Sequence, residues 1–314
     1  MGFFDFLKRL LPGRVELDEF GEPVRKRSRG LSAAELARRL GMEEASLRQA
    51  QPIYREFTIA KRSGALRHIL APSPELKAVQ RRIVRRLLGR LKSHPAAHGF
   101  ERGRSIVTHA RGHVGNSVVL CLDIRNFFES TSAKRINQYF RRLGWDKDAA
   151  GLLERLCTHE GALPQGAPTS PRLSNLVNYR LDARLSALVG RQRSVAVPIG
   201  ALANYSRYAD DLTFSFSPAN HPLIKRVLWI TRHIVADEGY ELHFRKKLRI
   251  RHSHDQQRVT GLVVNRSLNL PRTTRRWLRA CEHHLKSGRP CTFTPAQLAG
   301  WRALQTMIAN GRRT

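Results

Sequence analysis

The stretch Tyr205-Ser-Arg-Tyr-Ala-Asp-Asp-Leu-Thr-Phe-Ser-Phe216 places two adjacent aspartates between apolar and aromatic residues. Aspartate tolerates the dihedral angles of tight turns, and the flanking residue types are enriched in strands. The pattern therefore predicts a strand, a tight turn and a second strand over residues 204–217, with Asp210 and Asp211 at the turn.

A third carboxylate, Asp123, ends the nearly all-apolar run Val118-Val-Leu-Cys-Leu-Asp-Ile124, which predicts a strand in the middle of a covered sheet. A carboxylate buried there is costly without a counter-ion, and three like charges on neighbouring strands repel one another. Hard divalent cations, Mg²⁺ above all, prefer such oxygens. Two metal ions held about 4 Å apart activate a hydroxyl and stabilise a departing pyrophosphate. The three aspartates therefore indicate a nucleotidyl-transfer site.

The charge of the chain indicates a polyanionic partner. Its 56 Lys and Arg residues and 25 Asp and Glu residues give a net charge of +31, which repels itself unless a polyanion neutralises it. Apolar residues make up 41% of the 314 residues, enough for the core of one large domain or of two to three packed subdomains. Nucleic acid is the first partner to consider, and composition does not distinguish DNA from RNA.

The cysteines and the N-terminus exclude several other classes. Four cysteines without a CxxC pair predict neither a disulfide framework nor a zinc site, which fits a reducing cytoplasm. Asp5 and the Lys8-Arg9 pair interrupt the apolar N-terminal run, so we expect neither a signal peptide nor a membrane span. A short amphipathic helix that docks on its own protein is the preferred interpretation of this run.

Helices alternate with a few separated strands, which predicts an α+β domain rather than a doubly wound sheet. The first 55 residues are interpreted as an N-terminal helical extension, in which a linker over residues 12–30 precedes a helical pair with Ser32 as N-cap and Glu35 as capping-box partner. Two strands are expected over residues 56–72, and a basic helix with a phosphate-facing surface over residues 74–92. Further helices are predicted over residues 133–143, 148–158, 172–189 and 221–238, and a strand over residues 258–265.

Three motifs resemble those of the reverse transcriptases. Tyr208-Ala-Asp-Asp211 matches their YADD sequence, and Leu122-Asp-Ile-Arg-Asn-Phe-Phe128 resembles their first catalytic strand. Leu163-Pro-Gln-Gly-Ala-Pro-Thr-Ser-Pro171 resembles the loop and helix beneath their nascent base pair, and all three occur in the family's order and spacing. The resemblance implies a right-hand polymerase fold, with fingers and palm over residues 56–258 and a short helical thumb over residues 259–314.

The resemblance also implies roles for single residues. Asp123 and Asp210 would be the principal ligands of two Mg²⁺ ions, for which Mn²⁺ could substitute. Asp211 would assist them, and the backbone carbonyl of Ile124 would complete the second metal site. Phe128 falls where the family places the steric gate that excludes a ribose 2′-hydroxyl and so favours dNTPs.

Contacts with the incoming nucleotide follow from the same resemblance. Gln165 and Gly166 would line its pocket. Lys61 and Arg67 belong to a segment that resembles the fingers hairpin and would grip the triphosphate, unless they are merely exposed strand cations. Lys246 or Lys247 falls near the family's lysine that is proposed to protonate pyrophosphate, and the local spacing does not decide between Lys246 and Lys247.

Two further elements resemble the retron reverse transcriptases. Val259-Thr-Gly-Leu-Val-Val-Asn265 resembles the VTG element of their thumb, and a segment before Asp123 resembles their NAxxH element with His109 in place of Asn. A plainer interpretation makes His109 and His113 polar residues of a basic loop. The resemblance implies RNA contacts from these elements and from the basic tail, namely from His109, Ala110, His113, Val259, Thr260, Gly261, Arg272, Arg275 and Arg276.

A retron enzyme would copy a cognate structured non-coding RNA into branched, RNA-linked single-stranded DNA in the bacterial cytoplasm. Synthesis would start from the 2′-hydroxyl of an internal guanosine of that RNA, and the product would act with a separate effector protein in antiphage defence. Two alternatives stay open. One is another prokaryotic reverse transcriptase, of the group II or the diversity-generating type. The other is a catalytically idle RNA-binding protein or a helix-turn-helix regulator, and the three intact aspartates argue against an idle protein.

Overall fold

The computed structural model describes residues 30–60, 64, 66–189, 202–218, 220–243, 248–290 and 292–313. The predicted N-terminal amphipathic helix and nearly all of the predicted linker lie outside the described residues, as do Lys61, Lys246 and Lys247. Within the described ranges, no helix has the length and apolar character that crossing a membrane requires.

The helical pair α1 (Ala33–Leu40) and α2 (Glu44–Gln49) opens the described chain. The Ser32 hydroxyl accepts the backbone N–H of Glu35 at 3.3 Å, which confirms the predicted N-cap. The Glu35 carboxylate binds two arginines of the following turn, so ion pairs replace the predicted capping box. Leucines of both helices are fully buried, so the pair packs as a unit against the rest of the described chain.

A hairpin and a basic helix follow, namely β1 (Tyr54–Ala60), β2 (Leu66–Pro72) and α3 (Pro74–Ile83). The strands pair antiparallel as predicted, and α3 continues through a π-helical turn over residues 84–88. Arg82 and Arg86 donate to backbone carbonyls at the C-terminal end of α1, at 2.7 and 3.4 Å. The end of a helix presents carbonyls without helical partners, which explains these contacts. The phosphate-facing role of the basic helix stays a prediction.

The chain enters the palm through a short helix and its first strand, and a series of helices follows: α4 (Ile106–Arg111), β3 (Val118–Asp123), α5 (Ala133–Arg142), α6 (Lys147–Cys157), α7 (Ser170–Val177) and α8 (Tyr179–Val189). The single helix predicted over residues 172–189 is thus divided at Asn178. The Asn178 amide donates to the Ser174 carbonyl at 2.8 Å and to the Tyr240 hydroxyl at 2.9 Å. Such side-chain bonds compete with helical ones and end α7 there.

The palm sheet is antiparallel, with the strand order β4-β5-β3-β6. Its remaining elements are β4 (Leu202–Tyr208), β5 (Asp211–Ser217), the helix α9 (His221–Asp237) and β6 (Arg249–His252). Leu120 and Leu122 of β3 pack with side chains of α8 and α9, whereas Val119 packs with α4 and the thumb. Burial on both faces explains the nearly unbroken apolar run of β3.

The thumb begins with a small hairpin and continues in two helices, namely β7 (Arg258–Val259), β8 (Leu262–Val263), α10 (Arg272–Lys286) and α11 (Pro295–Arg313). The single strand predicted over residues 258–265 is wrong. Thr260 and Gly261 both have positive φ, 45° and 86°, and form the two-residue turn of a hairpin. Buried side chains of α10 and α11 pack with Val107 and Ala110 of α4, so the helical tail rests on the palm.

Candidate active site

The three predicted carboxylates meet at one end of the palm sheet. Asp123 and Asp211 are partners in the β3–β5 ladder, and Asp210 lies in the two-residue turn between β4 and β5. The backbone N–H of Ile124 donates to the Asp210 carbonyl at 2.9 Å, which fixes this turn against the end of β3. The antiparallel register therefore brings together side chains that are far apart in the sequence.

The three carboxylates differ in exposure to solvent. Asp123 is only 5% exposed, Asp210 is half-buried and Asp211 is exposed. The backbone carbonyl of Asp123 accepts the N–H of His243 at 2.8 Å, so the segment that follows α9 crosses the end of β3. The site is thus closed on the protein side and open on the side from which a substrate phosphate can approach.

The oxygen ligands of this site suit Mg²⁺. Among the residues that the structure describes, no three His, Cys, Asp or Glu side chains form a group that could hold a metal ion. Mg²⁺ is usually bound through one or two carboxylates, while substrate phosphates and water complete its coordination. Asp123 and Asp210, with Asp211 and the Ile124 carbonyl beside them, therefore fit a site that a bound nucleotide completes.

Aromatic rings follow Asp123 along the chain. The ring centroid of buried Phe127 lies 5.5 Å from that of half-buried Phe128, the predicted steric gate. Phe100 also contacts Phe128, with centroids 6.1 Å apart, and is 45% exposed. Its φ of 63° is rare for a residue with a large side chain, so the surrounding loop holds it there at an energetic cost. Sequence reasoning missed Phe100, because neither the backbone angle nor the contact has a local signal.

The predicted nucleotide-pocket loop packs against the fingers hairpin. The backbone N–H of Leu70 in β2 donates to the Gln165 carbonyl at 2.9 Å. Gly166 has φ 134°, and a Cβ there would lie 2.7 Å from the Leu70 carbonyl oxygen, so a larger residue would push the loop away. Arg67 is exposed on the same strand. The structure therefore joins Gln165 and Gly166 to the strand that carries Arg67.

The two elements that resemble retron RNA-binding motifs contact each other. His109 Nδ1 lies 3.5 Å from Thr260 Oγ1, and the Thr260 hydroxyl donates to the Ile106 carbonyl at 3.2 Å. His113 lies between the hydroxyls of Ser215 and Ser206, at 2.8 and 2.7 Å, and so joins β4 to β5. The side chains that face protein rather than solvent include those of His109, Ala110, His113 and Val259. Direct RNA contacts from them stay a prediction, whereas Gly261 is exposed at the hairpin turn.

Burial keeps the histidines of this region neutral. It lowers the pKa of His98 to about 4, with a further contribution from nearby arginines. It lowers the pKa of His109 to about 2 and that of His113 to about 3, and neighbouring histidines add to both effects. The cluster therefore carries no positive charge near neutral pH and does not attract phosphate by charge.

The predicted thumb arginines lie together on α10. Arg272, Arg275 and Arg276 are exposed, and their spacing of three and four residues places them on one side of the helix. Leu278 and Cys281 of the same helix are buried in the opposite direction, toward the protein. The structure therefore gives the thumb a basic face in solvent.

Sequence reasoning also missed an ion pair directly behind the predicted active-site turn between β4 and β5, Ala209–Asp210, which we call the catalytic turn. Arg207 of β4 and Asp182 of α8 lie 2.6 Å apart, and both side chains are completely buried. An arginine in an alternating strand pattern usually faces solvent, and its partner stands in a helix whose apolar pattern has no sign of a buried charge. Only the packing of β4 on α8 reveals the pair.

Comparison with known proteins agrees with this geometry. An antiparallel palm with three aspartates at one end defines a nucleic-acid polymerase of the right-hand type, and residues 59–264 match the family described as reverse transcriptase (RNA-dependent DNA polymerase). The chain is 37% identical to the retron Mx162 reverse transcriptase of Myxococcus xanthus over 87% of its own length, and it covers 64% of that protein. It is 36% identical to the retron Mx65 reverse transcriptase of the same organism, over 96% of this chain and 73% of the relative. It is 33% identical to the retron Ec86 reverse transcriptase of Escherichia coli, over 79% of this chain and 74% of the relative. The chain belongs to the retron reverse transcriptases.

Proposed function

We propose that this protein copies a cognate structured non-coding RNA into DNA and produces branched, RNA-linked single-stranded DNA. The observation that carries the proposal is the pairing of Asp123 with Asp211 and the position of Asp210 in the adjacent turn. Carboxylates clustered beside a polyanion gain nothing in a protein that only binds nucleic acid, because they repel its phosphates. They are needed where divalent metal ions act on a triphosphate.

The chain's own residues would hold and select the substrate. Asp123, Asp210 and Asp211 would bind two Mg²⁺ ions, which supply activation of the priming hydroxyl and charge stabilisation of the departing pyrophosphate. Phe128 would exclude a ribose 2′-hydroxyl. The nucleotide itself would be held by side chains of the fingers, by the pocket loop and by a lysine after α9, namely by Lys61, Arg67, Gln165, Gly166 and Lys246.

RNA binding would rest on the thumb and on its contact with the palm. The exposed arginines of α10 would hold the phosphates of an A-form duplex, which proteins recognise by backbone and shape rather than by base edges in the narrow groove. His109 and Thr260 would support the VTG hairpin from within, so that its exposed turn keeps one orientation toward the RNA. The net charge of +31 fits such a partner.

The product would act with a separate effector protein in defence against phage, in the bacterial cytoplasm. A reducing compartment is supported by the free thiols of Cys121, Cys157 and Cys281 in the described part of the chain. A structured RNA gene adjacent to the gene of this protein would favour this function.

The experiment that tests this function is purification from the native host, followed by sequencing of the nucleic acid that accompanies the protein. We expect RNA joined to single-stranded DNA, with a 2′,5′ branch that debranching enzyme resolves. The same preparation with Asp210→Asn and Asp211→Asn should contain the RNA without the DNA. Unbranched DNA would contradict the branched product while leaving the reverse transcriptase activity, and RNA alone from the unaltered protein would contradict the proposed synthesis.

A further inference from the structure

A completely buried ion pair lies behind the catalytic turn. Nε and Nη2 of Arg207 donate to the two carboxylate oxygens of Asp182, at 2.8 and 2.6 Å, and the Tyr205 hydroxyl donates to the same carboxylate at 2.8 Å. Both members of the pair are 0% exposed. Burial alone would lower the pKa of Arg207, but the charge and hydrogen bonds of Asp182 raise it, so the guanidinium stays charged. The bidentate contact fixes the plane of the guanidinium group.

The third guanidinium nitrogen of Arg207, Nη1, donates to the catalytic turn itself. Nη1 donates to the backbone carbonyl of Ala209 at 3.0 Å and to Oδ1 of Asn175 at 3.2 Å. Ala209 is the first residue of the turn and has φ 55°, in the left-handed region that residues with a Cβ rarely adopt. The guanidinium therefore supports the strained residue that immediately precedes Asp210.

The loop before α4 holds the same residue from another direction. A Cβ on Gly99 would lie 2.7 Å from the backbone nitrogen of Ala209, so this loop touches the turn closely. The backbone of Arg207 bonds to the loop on both sides, with its N–H on the Ala96 carbonyl at 2.8 Å and its carbonyl on the His98 N–H at 2.7 Å. Asn175 donates to the Gly99 carbonyl at 2.6 Å. Arg207 is thus the centre of a bonded frame around Ala209.

Stability of the fold alone does not explain why these hydrogen bonds are made by a buried ion pair. Replacing a buried ion pair by apolar residues of similar volume is often neutral or stabilising, so stability alone does not require charges here. Lysine could supply the charge but not the arrangement, because an ammonium group has no planar fork that binds a carboxylate with two nitrogens and a carbonyl with the third. The geometry uses the feature that distinguishes arginine from lysine.

We propose that Arg207, oriented by Asp182, is a positioning residue for nucleotidyl transfer that fixes the Ala209 carbonyl and thereby the orientation of the Asp210 and Asp211 carboxylates. The inference rests on the proposed polymerase function. Catalytic groups displaced by about 1 Å lose on the order of 10²-fold in rate, so a loosened turn should lower kcat while substrate and RNA still bind.

The test compares Arg207→Lys with Arg184→Lys in the full chain. Arg184 is a matched control, since it stands on the same helix as Asp182 but pairs with Asp237, which is 59% exposed, and with Glu238, and has no bond to the β4–β5 turn among those described. On a primed RNA template, we expect Arg207→Lys to lower kcat on the order of 10²-fold and to raise the Mg²⁺ concentration for half-maximal rate. KM for dNTPs and RNA affinity should stay near wild-type values, and Arg184→Lys should match wild type throughout.

Hydrogen exchange supplies a readout that does not depend on activity. Backbone amides over residues 205–212 should exchange faster in Arg207→Lys than in wild type or Arg184→Lys, and by more than any change in the thermal midpoint explains. A triple variant, Asp182→Leu with Tyr205→Phe and Arg207→Met, removes the buried charges together and should keep the midpoint while kcat stays low. If the triple variant is destabilised, Arg207→Lys decides alone.

These measurements distinguish a wrong positioning role for Arg207 from a wrong polymerase function. Wild-type kcat and exchange in Arg207→Lys would overturn the positioning role while the protein remains a polymerase. A variant in which kcat, RNA affinity and thermal midpoint all decrease together would also overturn it, because such a result indicates that the ion pair only stabilises the fold. A wild-type protein without DNA synthesis would contradict the polymerase function, and the exchange data would then still decide whether Arg207 fixes the turn.

Discussion

The palm and the thumb use charged residues in opposite ways. In the palm, Arg207 and Asp182 are completely buried, and every nitrogen of the guanidinium group donates a hydrogen bond within the protein. In the thumb, residues 259–314 contain ten Lys and Arg residues and a single acidic residue, Glu282, and the arginines of α10 face solvent. The buried charges of the palm are thus held by the protein itself, whereas the exposed charges of the thumb are free to act on a phosphate backbone, as proposed above.

This difference predicts that rate and affinity can be changed separately. Salt screens exposed charges over about 8 to 10 Å at physiological ionic strength, but it screens a buried pair much less. Substitutions in the palm should therefore change kcat at any salt concentration. Substitutions in the thumb should change RNA affinity and its dependence on salt, and they should leave kcat with bound RNA nearly unchanged.

The largest effect is expected at the carboxylates that are proposed to bind Mg²⁺. Asp210→Asn combined with Asp211→Asn removes two negative charges that divalent cations require, so DNA synthesis should fall below detection. RNA affinity should stay within a few-fold of wild type, or rise slightly, because repulsion of the phosphates decreases. Asp148→Asn is a control with full activity expected, because Asp148 is an exposed residue of α6 that pairs with Arg48 and lies outside the palm sheet. DNA synthesis by the double variant would remove these aspartates from the mechanism.

Substitutions in the thumb should lower RNA affinity and leave DNA synthesis by the bound enzyme nearly unchanged. Arg272→Ala, Arg275→Ala and Arg276→Ala together should reduce the slope of log K against log salt by about 2 to 3, with a corresponding loss of RNA affinity at low salt. Arg302→Ala is the matched control, since Arg302 already pairs with Glu282 at 3.1 Å and should contribute less to the slope. Filter binding between 50 and 200 mM salt would measure both. An unchanged slope in the triple variant would place the RNA on another surface.

The sequence predicted the secondary structure of this site better than the long-range contacts that hold it. Alternation and turn chemistry are local, so the β4–β5 hairpin, the end of β3 and helices α5 and α6 follow from the sequence almost to the residue. The three aspartates could be expected on neighbouring strands for the same reason. The NAxxH-like and VTG-like segments could be located, but not their contact through His109 and Thr260, which joins distant parts of the chain.

What could not be predicted depends on long-range packing. Asn178 divides a helix because the Tyr240 hydroxyl lies within reach of its amide. Arg207 faces inward because Asp182 lies beneath β4, and neither residue differs locally from a surface position. Phe100 contacts Phe128 only because its loop is bonded to the catalytic hairpin. In each case one side chain meets a partner whose position the fold determines.

Nucleotide selection should depend on uncharged side chains of the palm. Phe128→Ala should lower discrimination against ribonucleotides by about 10- to 200-fold, the range expected when a small group gains or loses space in a tight pocket. Phe100→Ala should cause a smaller loss in the same direction, because it removes a ring that contacts the gate. Competition between dNTPs and NTPs on one template measures both. Equal selectivity in Phe128→Ala and wild type would end the steric-gate assignment, and RNA affinity should not change in either variant.

The smallest effect concerns pH and follows from the buried histidines. Burial lowers the pKa of His109 to about 2, so between that value and about 6.5 the unfolded chain binds a proton that the folded protein does not. The free energy of unfolding should therefore fall as the pH decreases below about 6.5, by at most about 1.4 kcal/mol per pH unit for each such histidine.

His109→Asn removes one of these groups and places a neutral polar side chain in the same contact with Thr260. Its unfolding free energy should depend on pH less steeply than that of wild type between about pH 6 and pH 4, by up to about 1.4 kcal/mol per pH unit. His283→Asn on the exposed side of α10 is the control from the thumb and should keep the wild-type slope. Urea unfolding at several pH values gives these slopes. If both variants change the slope equally, burial does not distinguish His109 in the palm from His283 in the thumb. The contrast between buried and exposed ionisable groups would then not extend to the histidines.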